Sequence, residues 1–175
     1  MELNLICAKD EMRPVMQYVK VTKNYCIATN AHVLGKIKTE TIFDLEFIAK
    51  LPEEGILVHQ EDWKKLKNAV LIEWKSNDVI KICYSGKKRD VLIESETESN
   101  IGTYPNIDAV IPTKENRQVE LNQIAFNASL LLDLQKALNI PNVKLQFSGM
   151  NRPIYVTDGS GQQIENIGVI MPISF

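Results

Sequence analysis

Val169-Ile170-Met171-Pro172-Ile173-Ser174-Phe175 is the stretch from which the fold can be read. An apolar run of this kind at the C-terminus predicts a buried strand, because a free tail of that composition frays or aggregates. The strand extends back to Ile167, and Ile154 to Thr157 and Val143 to Phe147 read as two more. Before them, Asn127 to Leu138 carries an apolar stripe of Leu130, Leu131, Leu134 and Leu138 at helical spacing. Asn127 or Ser129 supplies its N-cap and Pro141 follows its end. Gln118 to Leu121 reads as a strand that opens the unit.

The same order occurs earlier in the chain. Gly55 to Val58 reads as a strand. His59 to Val70 reads as a helix with Trp63, Leu66 and Val70 on one face. Val70 to Lys75, Val79 to Tyr84 and Arg89 to Ser95 read as three strands, with turns at Asn77-Asp78 and Ser85-Gly86. Strand-helix-strand-strand-strand therefore occurs at 55–95 and again at 118–175, and internal repetition weighs more than any single propensity. The first forty residues read as the same unit without its helix. Glu2 to Cys7, Val15 to Val21, Tyr25 to Thr29 and His32 to Ile42 are its strands, and too few residues lie between Cys7 and Arg13 for a helix of normal length. Phe43 to Lys50 forms a short helix before Pro52, and Ser95 to Asn116 is a polar linker with Gly102, Pro105 and Pro112. Helices on one face of antiparallel sheets make this an α+β architecture of three βαβββ motifs. Residues 1–112 form a domain of two motifs, the first truncated, and 113–175 a third motif.

Bulk properties exclude several classes. A chain of 175 residues, 45% hydrophobic and 24% charged, builds a core without staples. A net charge of -2 gives no global field toward nucleic acid or membrane. Cys7, Cys26 and Cys83 lack zinc or disulfide spacing and read as thiols in a reducing cytoplasm. No run approaches a membrane span, and the Met1-Glu2-Leu3-Asn4 start lacks the features of a signal peptide. A cytoplasmic protein is expected. No phosphate-binding glycine loop or metal-spaced His/Cys set occurs, and His32 has only His59 for company. No catalytic residue, metal or cofactor is expected.

Four segments carry a family resemblance. Ala28-Thr29-Asn30-Ala31-His32-Val33-Leu34 resembles an ATDGHRLA segment. Gly102-Thr103-Tyr104-Pro105-Asn106-Ile107-Asp108-Ala109-Val110-Ile111-Pro112 resembles a GxFPDYRRVLP linker. Ile124 to Asp133 resembles an FNxxYLLD helix start, and Val169 to Ile173 a terminal VVMPM strand. All four belong, in this order, to the bacterial replication sliding clamp, the beta subunit of DNA polymerase III. The resemblance covers nearly the whole chain and is to a shortened form: the clamp's middle domain joined to the final motif of its last domain.

The resemblance implies a pocket that captures short peptide tails of polymerases and repair proteins. It places Met16, Thr29, Ala31, His32, Val33, Leu34, Pro105, Val110, Asn127, Leu130, Val169, Ile170, Met171, Pro172 and Ile173 there. Apolar walls, an adaptable Met and a few polar groups suit that task. Two departures stand out. Val33 occupies the place of the family's Arg after the His, and Ile107-Asp108-Ala109-Val110 has no Arg where the family's linker has a pair. The expected pocket is thus more apolar.

Clamps also hold duplex DNA nonspecifically through helices lining a ring. The candidates here are Lys64, Lys65, Lys67 and Lys136, partly cancelled by Glu61, Asp62 and Asp133, so weak, sequence-independent binding is expected at most. Two non-enzymatic readings follow: a clamp-like homo-oligomer acting in DNA replication or repair, or a monomeric or dimeric adaptor or decoy that binds clamp-binding peptides without encircling DNA.

Overall fold

The computed structural model describes residues 1–86, 89–117, 119–121, 123–161 and 166–173. Among them, seven strands form one sheet: β1 (Tyr18–Val21), β2 (Tyr25–Thr29), β3 (Val33–Lys38), β4 (Ile56–His59), β8 (Val143–Gln146), β9 (Ile154–Asp158) and β10 (Ile167–Ile170). The order is β4-β1-β2-β3-β10-β9-β8. A second sheet holds β5 (Ala69–Trp74), β6 (Val79–Tyr84) and β7 (Val91–Glu94) in sequence order. All pairings are antiparallel. This is the expected α+β architecture with antiparallel sheets. The pivotal pairing is β3 with β10, with Leu34 opposite Val169 and Val33 opposite Ile170. It makes the large sheet continuous across the linker.

The strand period of two divides the large sheet into two faces. Val33, Ile37, Val156 and Ile170 point into the main core with Leu134, Ala137 and Leu138 of helix α4 (Ala128–Leu138). Leu34, Val169, Ile27 and Leu57 point to the other face, where Tyr104 and Ile107 of the linker cover them. The Tyr104 hydroxyl donates toward Tyr18 O at 3.3 Å and Ile27 O at 3.2 Å, which pins the linker to the sheet. Helix α4 starts as expected, with Asn127 Oδ1 accepting from Ser129 N at 3.0 Å. It stops at Asn139, whose φ of 53° is the left-handed geometry that Asn tolerates.

Several expected elements differ. Leu3–Ile6 is a single 3₁₀ turn, not a strand. Its buried Leu3, Ile6 and Cys7 recur at three and four residues, and the turn packs against α4. A second such turn, Pro14–Gln17, precedes β1, so Val15 to Gln17 are not strand. No full helix lies between Cys7 and Arg13. The expected helix over His59 to Val70 is shorter: α2 (Gln60–Trp63) continues as a 3₁₀ turn over Lys64–Leu66. Lys67 is extended and Asn68 has a φ of 64°, which turns the chain into β5. Val70 accordingly lies on β5, 65% exposed, not on a helical face. The helix near Phe43 is α1 (Leu45–Ala49), capped by Asp44. The linker contains α3 (Glu98–Ile101) and a 3₁₀ turn at Lys114–Asn116. Residues 119–121 are not part of a strand, although Val119 N donates to Phe147 O at 3.2 Å; Gln118 lies outside the described residues. Ser174 and Phe175 also lie outside them.

Among the described residues no helix is long and apolar enough to cross a membrane, and no group of three or more His, Cys, Asp or Glu side chains could hold a metal ion.

Candidate functional site

The site is built around the β2–β3 turn. Thr29 Oγ1 accepts from Ala31 N at 3.2 Å and donates to Val33 O at 2.9 Å. Asn30 Oδ1 accepts from the N–H groups of His32 and Val33, both at 3.0 Å. These bonds hold Ala31 at a φ of 73°, a left-handed conformation costly for a residue with a Cβ. Such a turn persists only where its surroundings enforce it. On the far side Met171 N donates to His32 O at 2.9 Å, tying the end of β10 to the turn.

Turn, strand end and linker enclose a cavity of about 190 Å³. Ten of the fifteen expected pocket residues line it: Met16, Thr29, Ala31, His32, Val33, Leu34, Pro105, Val110, Val169 and Met171. They come from segments more than a hundred residues apart, brought together because β10 pairs with β3 and the linker crosses beside them. The other five lie elsewhere. Ile170 faces the opposite side of β10 in the main core, as the strand alternation requires. Asn127 is occupied as the α4 cap, and Leu130 packs against the main core. Pro172 and Ile173 follow β10, and Ile173 N donates to Ala125 O at 2.7 Å while its side chain is 52% exposed.

Two lining residues, Asn106 and Ile107, are additions to the sequence reading. Ile107 stands among the linker positions where an Arg is absent, and it supplies wall area. Arg13 is another addition: its Nη1 donates to Asn30 O at 3.1 Å, which places a cation beside the turn. It lies in an irregular segment that no periodicity marks.

The turn's backbone donors are therefore used internally, and the cavity wall is mostly carbon. Such a surface gains affinity from apolar burial and shape, with the exposed His32 and Asn106 as polar points at the rim. The buried thiols take no part: burial pushes Cys7 and Cys26 up to about 12.

The candidate DNA-contacting lysines present a different picture. Lys64 Nζ bonds Glu61 at 2.6 Å, Lys65 bonds Asp62 and Lys67 bonds Glu2. The Lys67 hydrogen bond holds the Glu2 carboxyl below its usual range, and the Lys64 bond does the same for Glu61. Lys136, exposed on α4, lies in the field of Glu2 as well.

No family model matches this chain, and no curated protein matches it by sequence. Solved structures do match. The beta sliding clamp of C. crescentus superposes with a TM-score of 0.69 at 14% identity, over 99% of this chain and 62% of that one. The beta subunit of the Streptococcus pyogenes DNA polymerase gives 0.65 at 16% identity over 99% and 62%. DNA polymerase III subunit beta from Borrelia burgdorferi, solved in complex with a natural product, gives 0.68 at 14% identity over 99% and 61%. The protein has the sliding-clamp fold, and it spans about three-fifths of the length of the clamp subunits it matches. At these identities the likeness is one of fold.

Proposed function

We propose that this protein is a non-enzymatic, clamp-like binding module of DNA replication or repair, and that it captures short hydrophobic peptide segments of partner proteins in the cavity between the β2–β3 turn, the end of β10 and the linker. The observation that carries the reading is the convergence of Thr29, Ala31 to Leu34, Pro105, Val110, Val169 and Met171 on one apolar cavity. A cavity of about 190 Å³ suits one or two large apolar side chains of an extended peptide.

Encirclement of DNA has less support. Lys64, Lys65 and Lys67 are each engaged by a carboxylate, so neutralising a phosphate first requires breaking an ion pair. That observation favours the adaptor form of the reading over a processivity ring. The division into two units, at 1–112 and 113–175, belongs to this proposal, with the linker between the motifs serving as one wall of the binding site.

The test is fluorescence anisotropy with a labelled, acetylated and amidated peptide, Ala-Leu-Ser-Leu-Phe-Ala, against the full-length protein. Saturable binding in the micromolar range, lost when both Leu residues and the Phe are replaced by Ser, supports the reading. Binding indifferent to those three side chains refutes it. Mass measurement in solution separates the adaptor from the oligomer.

A further inference from the structure

Three aromatic rings stack where α1 meets the small sheet. The ring centres of Phe43 and Phe47 are 4.4 Å apart and their planes 11° from parallel. Those of Phe47 and Trp74 are 4.7 Å apart and 10° from parallel. Two rings that near and that parallel to Phe47 cannot share one of its faces, so Phe47 is the middle ring. Phe43 and Phe47 are buried, and Trp74, at the end of β5, is half-buried. Trp74 Nε1 donates to Phe47 O at 3.1 Å, which fixes the plane of the indole.

Phe47 covers one face of that indole, and no other described ring lies against it. Trp74 instead lines a cleft of about 540 Å³ with Lys50, Pro52, Lys75, Ser76 and Asn77. That lining carries two cations and no carboxylate. Lys75 is exposed in the β5–β6 turn, and its ammonium has no hydrogen bond or ion pair to any described residue. Lys50 is less free. Its Nζ bonds Glu46 at 2.8 Å, and Glu73 and Asp44 act on it from further off. Its pair with Glu46 is an exposed one, of the kind that an incoming anion displaces at little cost. Lys75 is thus the cation available beside a rigid aromatic ring.

We propose that this cleft binds single-stranded nucleic acid, with one base stacked on Trp74 as the fourth ring of the stack and a neighbouring phosphate on Lys75. A single strand presents a π-face and a negative charge at every step, which is what the lining can hold. A duplex keeps its bases stacked on one another and offers phosphates alone, so the site selects the single strand. A peptide would need an aromatic and an acidic side chain at one fixed spacing. The cleft shares no lining residue with the apolar cavity, and it is distinct from Lys64, Lys65 and Lys67. The proposal is therefore independent of the peptide-capture reading.

The experiment titrates the full-length protein with three probes at low salt: a short oligothymidylate, an abasic strand of the same length and charge, and a duplex of that length. Tryptophan fluorescence reads the stacking directly, because Trp63 is buried and Trp74 is the indole at the cleft. The oligothymidylate quenches it and binds at least about tenfold tighter than the abasic strand. Trp74→Ala brings the two strands to equal affinity, and Trp74→Phe keeps part of the difference. Lys75→Gln weakens both strands and reduces the slope of log K against log salt by about 0.7. Peptide binding is unchanged in all three variants. Equal affinity for the strands with and without bases overturns the proposal, as does duplex binding equal to that of the single strand. So does an absence of binding, or a preference for bases that survives Trp74→Ala in folded protein. If Trp74→Ala does not fold, the strand comparison in the parent and in Lys75→Gln decides by the same criteria.

Discussion

Gly35 on β3 and Gly168 on β10 sit directly opposite each other at the centre of the large sheet, and both face the helices. A Cβ on Gly168 would lie 2.5 Å from Leu134 Cδ2, and one on Gly35 would lie 2.6 Å from Ile6 Cδ1. The glycine pair is what allows α4 and the N-terminal 3₁₀ turn to settle onto the sheet where its two halves join. Neither has a positive φ, so the requirement is for space and not for backbone freedom.

Gly168→Ala is therefore expected to destabilise the fold by about 1–3 kcal/mol, the usual cost of overpacking a core. The two positions are in contact, so their effects are coupled. Leu134 is fully buried, and Leu134→Ala alone costs about 2–5 kcal/mol. In that background Gly168→Ala costs much less than in the parent, because the clash is gone. Urea melts of the parent, both single variants and the double variant measure the coupling. Additive losses would contradict the steric account.

Much of this arrangement is legible in the sequence, for an uneven reason. The helix over Asn127 to Leu138 announces itself through a cap, a stripe and a stop. The meeting of Thr29–Leu34 with Val169 and Met171 is not a matter of local propensity; it follows only from the family resemblance, since pairing between strands so far apart leaves no periodic trace. The 3₁₀ turn at Leu3–Ile6 reads as a strand because six residues hold less than two helical turns, too few to separate a period of two from one near three. The helix after β4 reads too long because Val70 extends the apolar spacing, while Asn68 reverses the chain.

Alkaline pH weakens the fold in a defined window. Cys7 and Cys26 are pushed up to about 12 by burial, and burial also holds the Tyr104 phenol well above its ordinary range. In the unfolded state the thiols ionise near 9.0, so above that pH the unfolded state binds fewer protons than the folded one. Stability is whole below pH 9 and falls as pH rises toward 12. The loss is on the order of 1 kcal/mol per buried thiol at pH 10. Denaturant midpoints at pH 8 and pH 10 read it. Cys7→Ala and Cys26→Ala lower stability at pH 8 yet flatten the dependence on pH; an unchanged slope would mean that the thiols reach water in the folded protein.

Binding to duplex DNA is expected to be weak, independent of sequence and salt-sensitive, with a shallow slope because few phosphates are neutralised. The lysines just after α2 are engaged by Glu61, Asp62 and Glu2. Anisotropy with a labelled linear duplex at two salt concentrations gives the slope. Lys64, Lys65 and Lys67 changed together to Glu remove whatever binding exists at low salt. Conversely, Glu61→Gln with Asp62→Asn frees two lysines and raises affinity at low salt. Tight binding at physiological salt, or no response to either set of changes, would exclude this surface as a DNA contact.

The pocket itself is best probed at its rim. Leu34 lines the cavity but is only 4% exposed and packs with Val169 in the linker-side core, so a charge there disturbs the fold along with the site. Val110 lines the same cavity and is 40% exposed, which leaves room for a lysine head to reach water. Val110→Lys is expected to keep the parent's circular dichroism and thermal midpoint within about 2 °C, since surface changes stay within roughly 0.5 kcal/mol. It should still weaken the neutral Ala-Leu-Ser-Leu-Phe-Ala peptide by at least about tenfold, or roughly 1.4 kcal/mol. Met171→Ala, which keeps the backbone bond to His32 O, should weaken the same peptide by removing an adaptable wall. Two folded variants that bind the peptide as the parent does would show that the cavity between the turn and β10 is packing geometry alone.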